Sequence, residues 1–97
     1  MIYVFDLDGT LCETLEGDYG KAVPKHDRIE HVNDLCREGH TIVVSTARGE
    51  MWKEFTRQQL LRWGVQFHVL SVGAKPYGDL YVDDRAINAN EFFGGVN

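Results

Sequence analysis

Little in this sequence offers covalent or basic reinforcement. Cysteine is scarce: Cys12 and Cys36 are the only two, in different segments and without metal-like spacing. That excludes a disulfide scaffold and a thiolate metal site, and reads as free thiols in a reducing compartment. Positive charge is in deficit, with 10 Lys and Arg against 15 Asp and Glu and a net charge of −5. No general nucleic-acid binding is expected from such a balance, although a nucleic-acid end held at a local site stays open. No apolar run approaches the ~20 residues that span a bilayer, and no charged-then-apolar leader opens the chain. A soluble, cytoplasmic protein without a membrane partner is therefore expected. Repeats, low-complexity tracts and linkers are missing too, so residues 1–97 are read as one domain. The histidines (His26, His31, His40 and His68) lack metal-ligand spacing and receive no role.

What is present is an alternation of short apolar runs and amphipathic stretches. Residues 2–7 are rich in strand formers and stop at Asp8-Gly9. Residues 10–23 show no period, hold Gly17 and Gly20, and read as a flap. Pro24 can open a helix in which Ile29, Val32, Leu35 and Cys36 share one face, with Gly39 as the stop. A second strand covers Thr41 to Thr46. A helix follows from Glu50 to Trp63 with Trp52, Phe55, Leu60 and Trp63 on one face, ended by Gly64. Strands over about 65–70 and 79–83 follow, and a last helical turn over 87–93. Such alternation predicts an α/β fold with a parallel sheet and right-handed crossovers. In these sheets reactive groups collect beyond the carboxyl ends of the strands.

Each strand leads to residues suited to phosphate chemistry: Asp6-Leu7-Asp8-Gly9-Thr10, then Ser45-Thr46-Ala47-Arg48, then Lys75-Pro76, then Asp83-Asp84. Asp-x-Asp alone is common. Directly after an apolar strand it is more pointed, because residues i and i+2 of an extended chain face the same side and Gly9 lets the backbone turn away. Taken singly, Thr46 reads as a helix cap, Lys75 as a solvated lysine and Asp83-Asp84 as a turn. Their order and strand placement lift them above those readings. Carboxylates converging on one point need a cation, and oxygen-only donors suit magnesium rather than zinc.

With these motifs the chain resembles the phosphatases of the haloacid dehalogenase superfamily over nearly its whole length. The resemblance implies a single Rossmann-like three-layer domain with a parallel sheet of about four strands in order 3-2-1-4. It implies a Mg2+-dependent phosphomonoester hydrolase in which Asp6 attacks phosphorus, forming an aspartyl phosphate, and Asp8 is general acid and base. Asp8 then needs a raised pKa, which crowding by other carboxylates would supply. Thr46 and Lys75 would bind phosphate oxygens, with Ser45 as the alternative to Thr46. The implied magnesium ligands are the Asp6 carboxylate, the Asp8 backbone carbonyl and Asp84, leaving Asp83 behind them, off the metal, to pair with Lys75. Only residues 76–82 separate Lys75 from the acidic pair, where the family often has a helix, so Lys75 has to reach the site from a short loop.

A closer resemblance is to small capless phosphatases linked with capsular polysaccharide synthesis, through Lys21-Ala-Val-Pro, Asp27-Arg-Ile-Glu, Thr46-Ala-Arg-Gly and Asp83-Asp84-Arg-Ala-Ile-Asn. Neither interval in which the family places a cap domain is long enough to hold one. An uncapped site is open. It accepts the phosphorylated end of a larger molecule or a small sugar phosphate, or it borrows a cover from another subunit in a homo-oligomer. Cys12, Asp18, Tyr19 and Lys21 are candidates for the entrance, against the blander reading of a solvated loop. Asp83-Asp84-Arg85 is also similar to phosphatase domains that repair polynucleotide ends, which makes a polynucleotide 3′-phosphatase the first alternative. From another class come a phospho-accepting receiver domain, whose acidic pair would end the first strand instead, and a binding module that has lost activity.

Strand alternation sends the Asp83 and Asp84 side chains to different partners. Asp84→Asn should therefore raise the magnesium concentration needed for half-maximal activity more than Asp83→Asn does. A magnesium titration of both variants checks this, and the reverse order would exchange their roles.

Overall fold

The opening apolar run becomes strand β1 (Ile2–Asp6) because it can be buried between two neighbours. On one side lies β4 (Thr41–Thr46), paired in parallel from Ile2↔Thr41 to Asp6↔Ser45. On the other lies β6 (Leu80–Val82), paired in parallel from Tyr3↔Leu80 to Phe5↔Val82. A fourth strand, β5 (Val69–Val72), pairs outside β4, so the sheet order is β5-β4-β1-β6. This is the order 3-2-1-4 expected for the four main strands. The computed structural model describes residues 1–15, 17–73, 76–83 and 89–94; Lys75 and Asp84, two of the site residues named above, lie outside them.

Helix α1 (His26–Arg37) and helix α2 (Lys53–Arg62) cross between the parallel strands. Both end as their glycines predict. Gly39 and Gly64 have φ of +97° and +75°, a region that disfavours other residues. Past them, the His40 N–H reaches the Leu35 carbonyl at 3.1 Å and the Val65 N–H reaches that of Leu60 at 3.0 Å, closing each helix with a Schellman-type bond. Ile29, Val32 and Leu35 of α1 and Leu60 of α2 join Phe5, Ile42, Val44, Leu70 and Val82 in one core. A short helix α3 (Ala89–Phe92) sets Phe92 against Tyr3, Phe5 and His31, with Phe93 beside Phe5. Together they form a Rossmann-like α/β domain without a cap among the described residues.

Three sequence readings need adjustment. The third strand starts at Val69 rather than near residue 65, because Val65 is still tied to the Leu60 carbonyl at the end of α2 and side chains take the place of ladder partners at 66 and 68. The Gln66 N–H donates to Asn33 Oδ1, and His68 Nδ1 accepts the Ile42 N–H at 3.0 Å. The predicted apolar face of the second helix divides: Trp52 belongs to a separate 3₁₀ turn (Glu50–Trp52), and the buried residues of α2 are Thr56, Gln59 and Leu60. The flap is partly ordered by β2 (Cys12–Glu13) and β3 (Val23–Pro24), an antiparallel pair, so Pro24 closes the flap instead of opening the helix, which starts at His26.

Gly78, in the loop before β6, is fixed by space. A Cβ there would lie 2.3 Å from Cγ2 of Val4, itself a buried side chain of β1. Gly78→Ala should lower stability by about 1–3 kcal/mol through overpacking. Urea denaturation followed by circular dichroism measures this, and an unchanged midpoint would contradict the packing described.

Candidate active site

The parallel register brings the acidic strand ends together. Asp6 closes β1 opposite Ser45 on β4. On the other side the ladder stops at Phe5↔Val82, so Asp83 begins the next step, level with Asp6. Beyond Asp6 the chain turns at Gly9, whose φ is +88°. The turn is tied by the Leu7 N–H to the Ser45 carbonyl and by the Leu11 N–H to the Leu7 carbonyl. Asp8 thus stands above the carboxyl edge of the sheet, two residues on from Asp6.

Asp8 is not left to solvent. Arg48, 1% exposed, clasps it with two donors: Nε to Oδ2 at 3.1 Å and Nη2 to Oδ1 at 2.8 Å. The same guanidinium sends Nη1 to Thr56 Oγ1 at 3.1 Å and to Gln59 Oε1 at 2.8 Å, and lies 4.3 Å from the centre of the Tyr19 ring. A buried arginine needs its donors satisfied and its charge paired. Here one carboxylate, one hydroxyl, one amide oxygen and one aromatic face meet both needs. Thr14 Oγ1 also donates to Asp8 Oδ1, and the Cys12 thiol sits 3.6 Å from that oxygen.

These contacts reverse one sequence expectation. Burial pushes the Asp8 pKa up, but the hydrogen bonds from Arg48 and Thr14, the Arg48 charge and the Cys12 contact outweigh it and leave the carboxyl below its ordinary value. Crowding by carboxylates had pointed upward; a bidentate arginine wins instead. At Cys12 burial, helped by the nearby Asp8 charge, outweighs the Thr14 hydrogen bond and the Arg48 charge, and the thiol is pushed up to about 11.

Thr46 is buried at the end of β4, and its hydroxyl oxygen accepts the Arg48 N–H at 3.1 Å. A hydroxyl that accepts this way keeps its own proton for another acceptor. Ser45 lies one residue back, at the Asp6 level. Thr10 is held by Arg28, whose Nη1 donates to the Thr10 carbonyl at 3.0 Å. Its Oγ1 is the one buried side-chain oxygen without a hydrogen-bond partner among the described residues. Among the same residues no cluster of three or more His, Cys, Asp or Glu side chains forms a metal cage; the strand register places Asp6 and Asp83 at one edge of the sheet, with Asp8 two residues beyond Asp6. That chemistry fits a hard cation held by few carboxylates together with substrate and water.

Of the flap candidates, Cys12 is buried and touches Asp8, Tyr19 roofs Arg48, and Asp18 and Lys21 form a loose exposed pair at 3.9 Å. Arg48, Thr56 and Gln59 were not given individual roles in the sequence. Thr46-Ala-Arg marked the position of Arg48, but only the fold shows that α2 turns two polar side chains inward to receive it.

Comparison with solved structures gives a likeness to the crystal structure of an MCSG target from Vibrio cholerae, at 32% identity and a TM-score of 0.72, covering 96% of this chain and 88% of that one. Two structures of the Pnkp1/Rnl/Hen1 RNA repair complex match at 17% identity, with TM-scores of 0.65 and 0.66, over 72% and 79% of this chain. This chain spans only 26% and 27% of the matched chains in that complex, and the likeness there is one of fold. No family model and no curated protein matches the sequence.

The depressed Asp8 pKa links stability to pH. A carboxyl whose pKa is lower folded than unfolded adds stability that is fully present above its unfolded value, near 4, and is lost as pH falls through the folded value. In the presence of chelator, the urea midpoint should fall more steeply between about pH 5 and pH 2 in the wild type than in Asp8→Asn. Parallel profiles would show that the Arg48 clasp does not perturb Asp8.

Proposed function

The chain belongs to the same family as the Vibrio cholerae protein, and from the residues of its own site we propose that it is a phosphatase of the haloacid dehalogenase type, hydrolysing phosphomonoesters with magnesium. The observation that carries this reading is the pair Asp6 and Asp8 at the carboxyl end of a central parallel strand, with Asp8 clasped by buried Arg48 beside the buried Thr46 hydroxyl.

In this reading an Asp6 carboxylate oxygen attacks phosphorus in line, forming the aspartyl phosphate as the bond to the leaving oxygen breaks. Asp8 gives that oxygen a proton, then takes one from the water that hydrolyses the intermediate. Arg48 keeps Asp8 ionised in the resting site, as a base requires. A phosphate dianion arriving beside Asp6 adds negative charge and pushes the Asp8 pKa upward, so that Asp8 takes up a proton from solvent before it gives one to the leaving oxygen. Thr46, with its oxygen already accepting from Arg48, donates its hydroxyl proton to a phosphate oxygen; a preorganised donor of this kind contributes roughly 3 kcal/mol. Lys75 and Asp84 are assigned to phosphate and metal by resemblance alone. Magnesium, when bound by oxygens of Asp6, Asp8 and Asp84, supplies charge neutralisation at the phosphoryl group.

The substrate is a small phosphorylated molecule such as a sugar phosphate, or the phosphorylated end of a polymer. A polynucleotide end is favoured as the second reading by the fold shared with a segment of the RNA repair complex. The net charge of −5 weighs against extended nucleic-acid contact but not against a terminal phosphate. Helices long and apolar enough to cross a membrane are absent among the described residues.

The test is hydrolysis of an aryl phosphate, sugar phosphates, nucleotides and a 3′-phosphorylated oligonucleotide, with magnesium and with chelator. Turnover should require magnesium, and Asp6→Asn should lower it on the order of 10³-fold or more while circular dichroism stays unchanged. Substantial turnover in Asp6→Asn would remove Asp6 as nucleophile. A stable phosphorylated wild type without multiple turnover, seen by acid-quench mass spectrometry, would favour the receiver.

A further inference from the structure

Gln59 is 2% exposed and lies on the face of α2 that turns toward the site rather than toward solvent. Both ends of its amide are used, and they join different things. Oε1 accepts from Arg48 Nη1 at 2.8 Å, and Nε2 donates to the backbone carbonyl of Tyr19 at 2.7 Å. Arg48 in turn clasps Asp8 through its other two nitrogens. The Tyr19 ring closes the circuit from above, 4.3 Å over the guanidinium and edge-on to Trp52 at 5.1 Å. A single side chain thus connects the flap backbone to the arginine that fixes the proposed acid–base carboxylate.

We propose that Gln59 is a positioning residue that couples the flap to Asp8, so that Asp8 is held in its working orientation only while Tyr19 is seated against α2. The proposal rests on the acid–base role given to Asp8 above. Its physical basis is the satisfaction of buried groups. If the flap lifts, Gln59 Nε2 loses its acceptor and Arg48 loses the aromatic face over its charge, leaving two buried polar groups less well satisfied at once. The guanidinium then has reason to reorient, and the bidentate geometry at Asp8 goes with it.

Two variants separate the halves of this latch. Gln59→Leu removes both hydrogen bonds, and Tyr19→Leu removes the ring from over Arg48 while leaving the backbone carbonyl for Gln59. The readouts are amide hydrogen exchange along the flap, which does not depend on catalysis, and steady-state kinetics with an aryl phosphate. For Gln59→Leu, exchange at amides 17–23 should quicken at least tenfold while amides of β1 and β4 stay within twofold, and kcat should fall about tenfold with KM within twofold. Tyr19→Leu should shift both readouts in the same directions by a smaller factor, and it serves alone if Gln59→Leu does not fold. Flap exchange unchanged in the folded variants, or faster flap exchange with kcat unchanged, would overturn the coupling. If the wild type shows no turnover, the phosphatase reading and the catalytic half of this proposal fall together, and the flap exchange alone decides whether the latch exists.

Discussion

The arrangement depends most on a buried guanidinium that has to be neutralised. Arg48 is almost fully removed from water, and an isolated charge there would be costly by several kcal/mol. Asp8 supplies the counter-charge in bidentate form, and the remaining donors find Thr56 and Gln59. Removing either member of such a pair leaves the other stranded, whereas the intact pair adds little net stability over an apolar replacement. The pair is therefore better understood as a device that fixes geometry. It ties together the turn after β1, the residues after β4 and the inner face of α2, three segments far apart in the chain.

The sheet makes that meeting possible. Parallel pairing of β1 with both β4 and β6 aligns their carboxyl ends, so that Asp6, Ser45 and Asp83 stand side by side without any loop having to carry them there. The apolar core below them is continuous from α1 through β1 and β4 to α2, and each large side chain buried in it contributes roughly 1.5–3 kcal/mol. Rigid strands hold the acidic groups, and shorter polar contacts above them aim the groups. The flap belongs to the second category, since β2 and β3 are two residues each and their hold on the body passes through Leu11, Tyr19 and Cys12.

Much of this was legible in the residues, and the reasons for success and failure differ by element. β1 and β4 are short apolar runs with abrupt polar ends, and the helix stops were written in Gly39 and Gly64. The start of β5 was not legible, because His68 and Asn33 imitate ladder partners and no local pattern reports a side chain that replaces a strand bond. The α2 face was misjudged for a similar reason. Periodicity finds apolar stripes, while Thr56 and Gln59 are buried to serve an arginine. The direction of the Asp8 pKa was missed on the same ground: the carboxylates can be counted in the sequence, but the guanidinium that lowers the Asp8 pKa against its burial comes from 40 residues away.

That balance of charge bears on the proposed chemistry. Asp6, Asp8 and Asp83 bring three carboxylates to one edge of the sheet, and the Arg48 guanidinium is committed to Asp8. A phosphate dianion approaching Asp6 would meet repulsion from a nucleophile that also has to stay ionised to attack. Thr46 offers a dipole, which aims an oxygen but does not cancel two charges. Arg48 cannot leave Asp8 to help without freeing the carboxylate it holds. In the proposed reaction, magnesium and Lys75 would supply the positive charge that Arg48, held by Asp8, does not bring to the phosphate. In that proposal the acidic edge would attract phosphate once a cation is bound there.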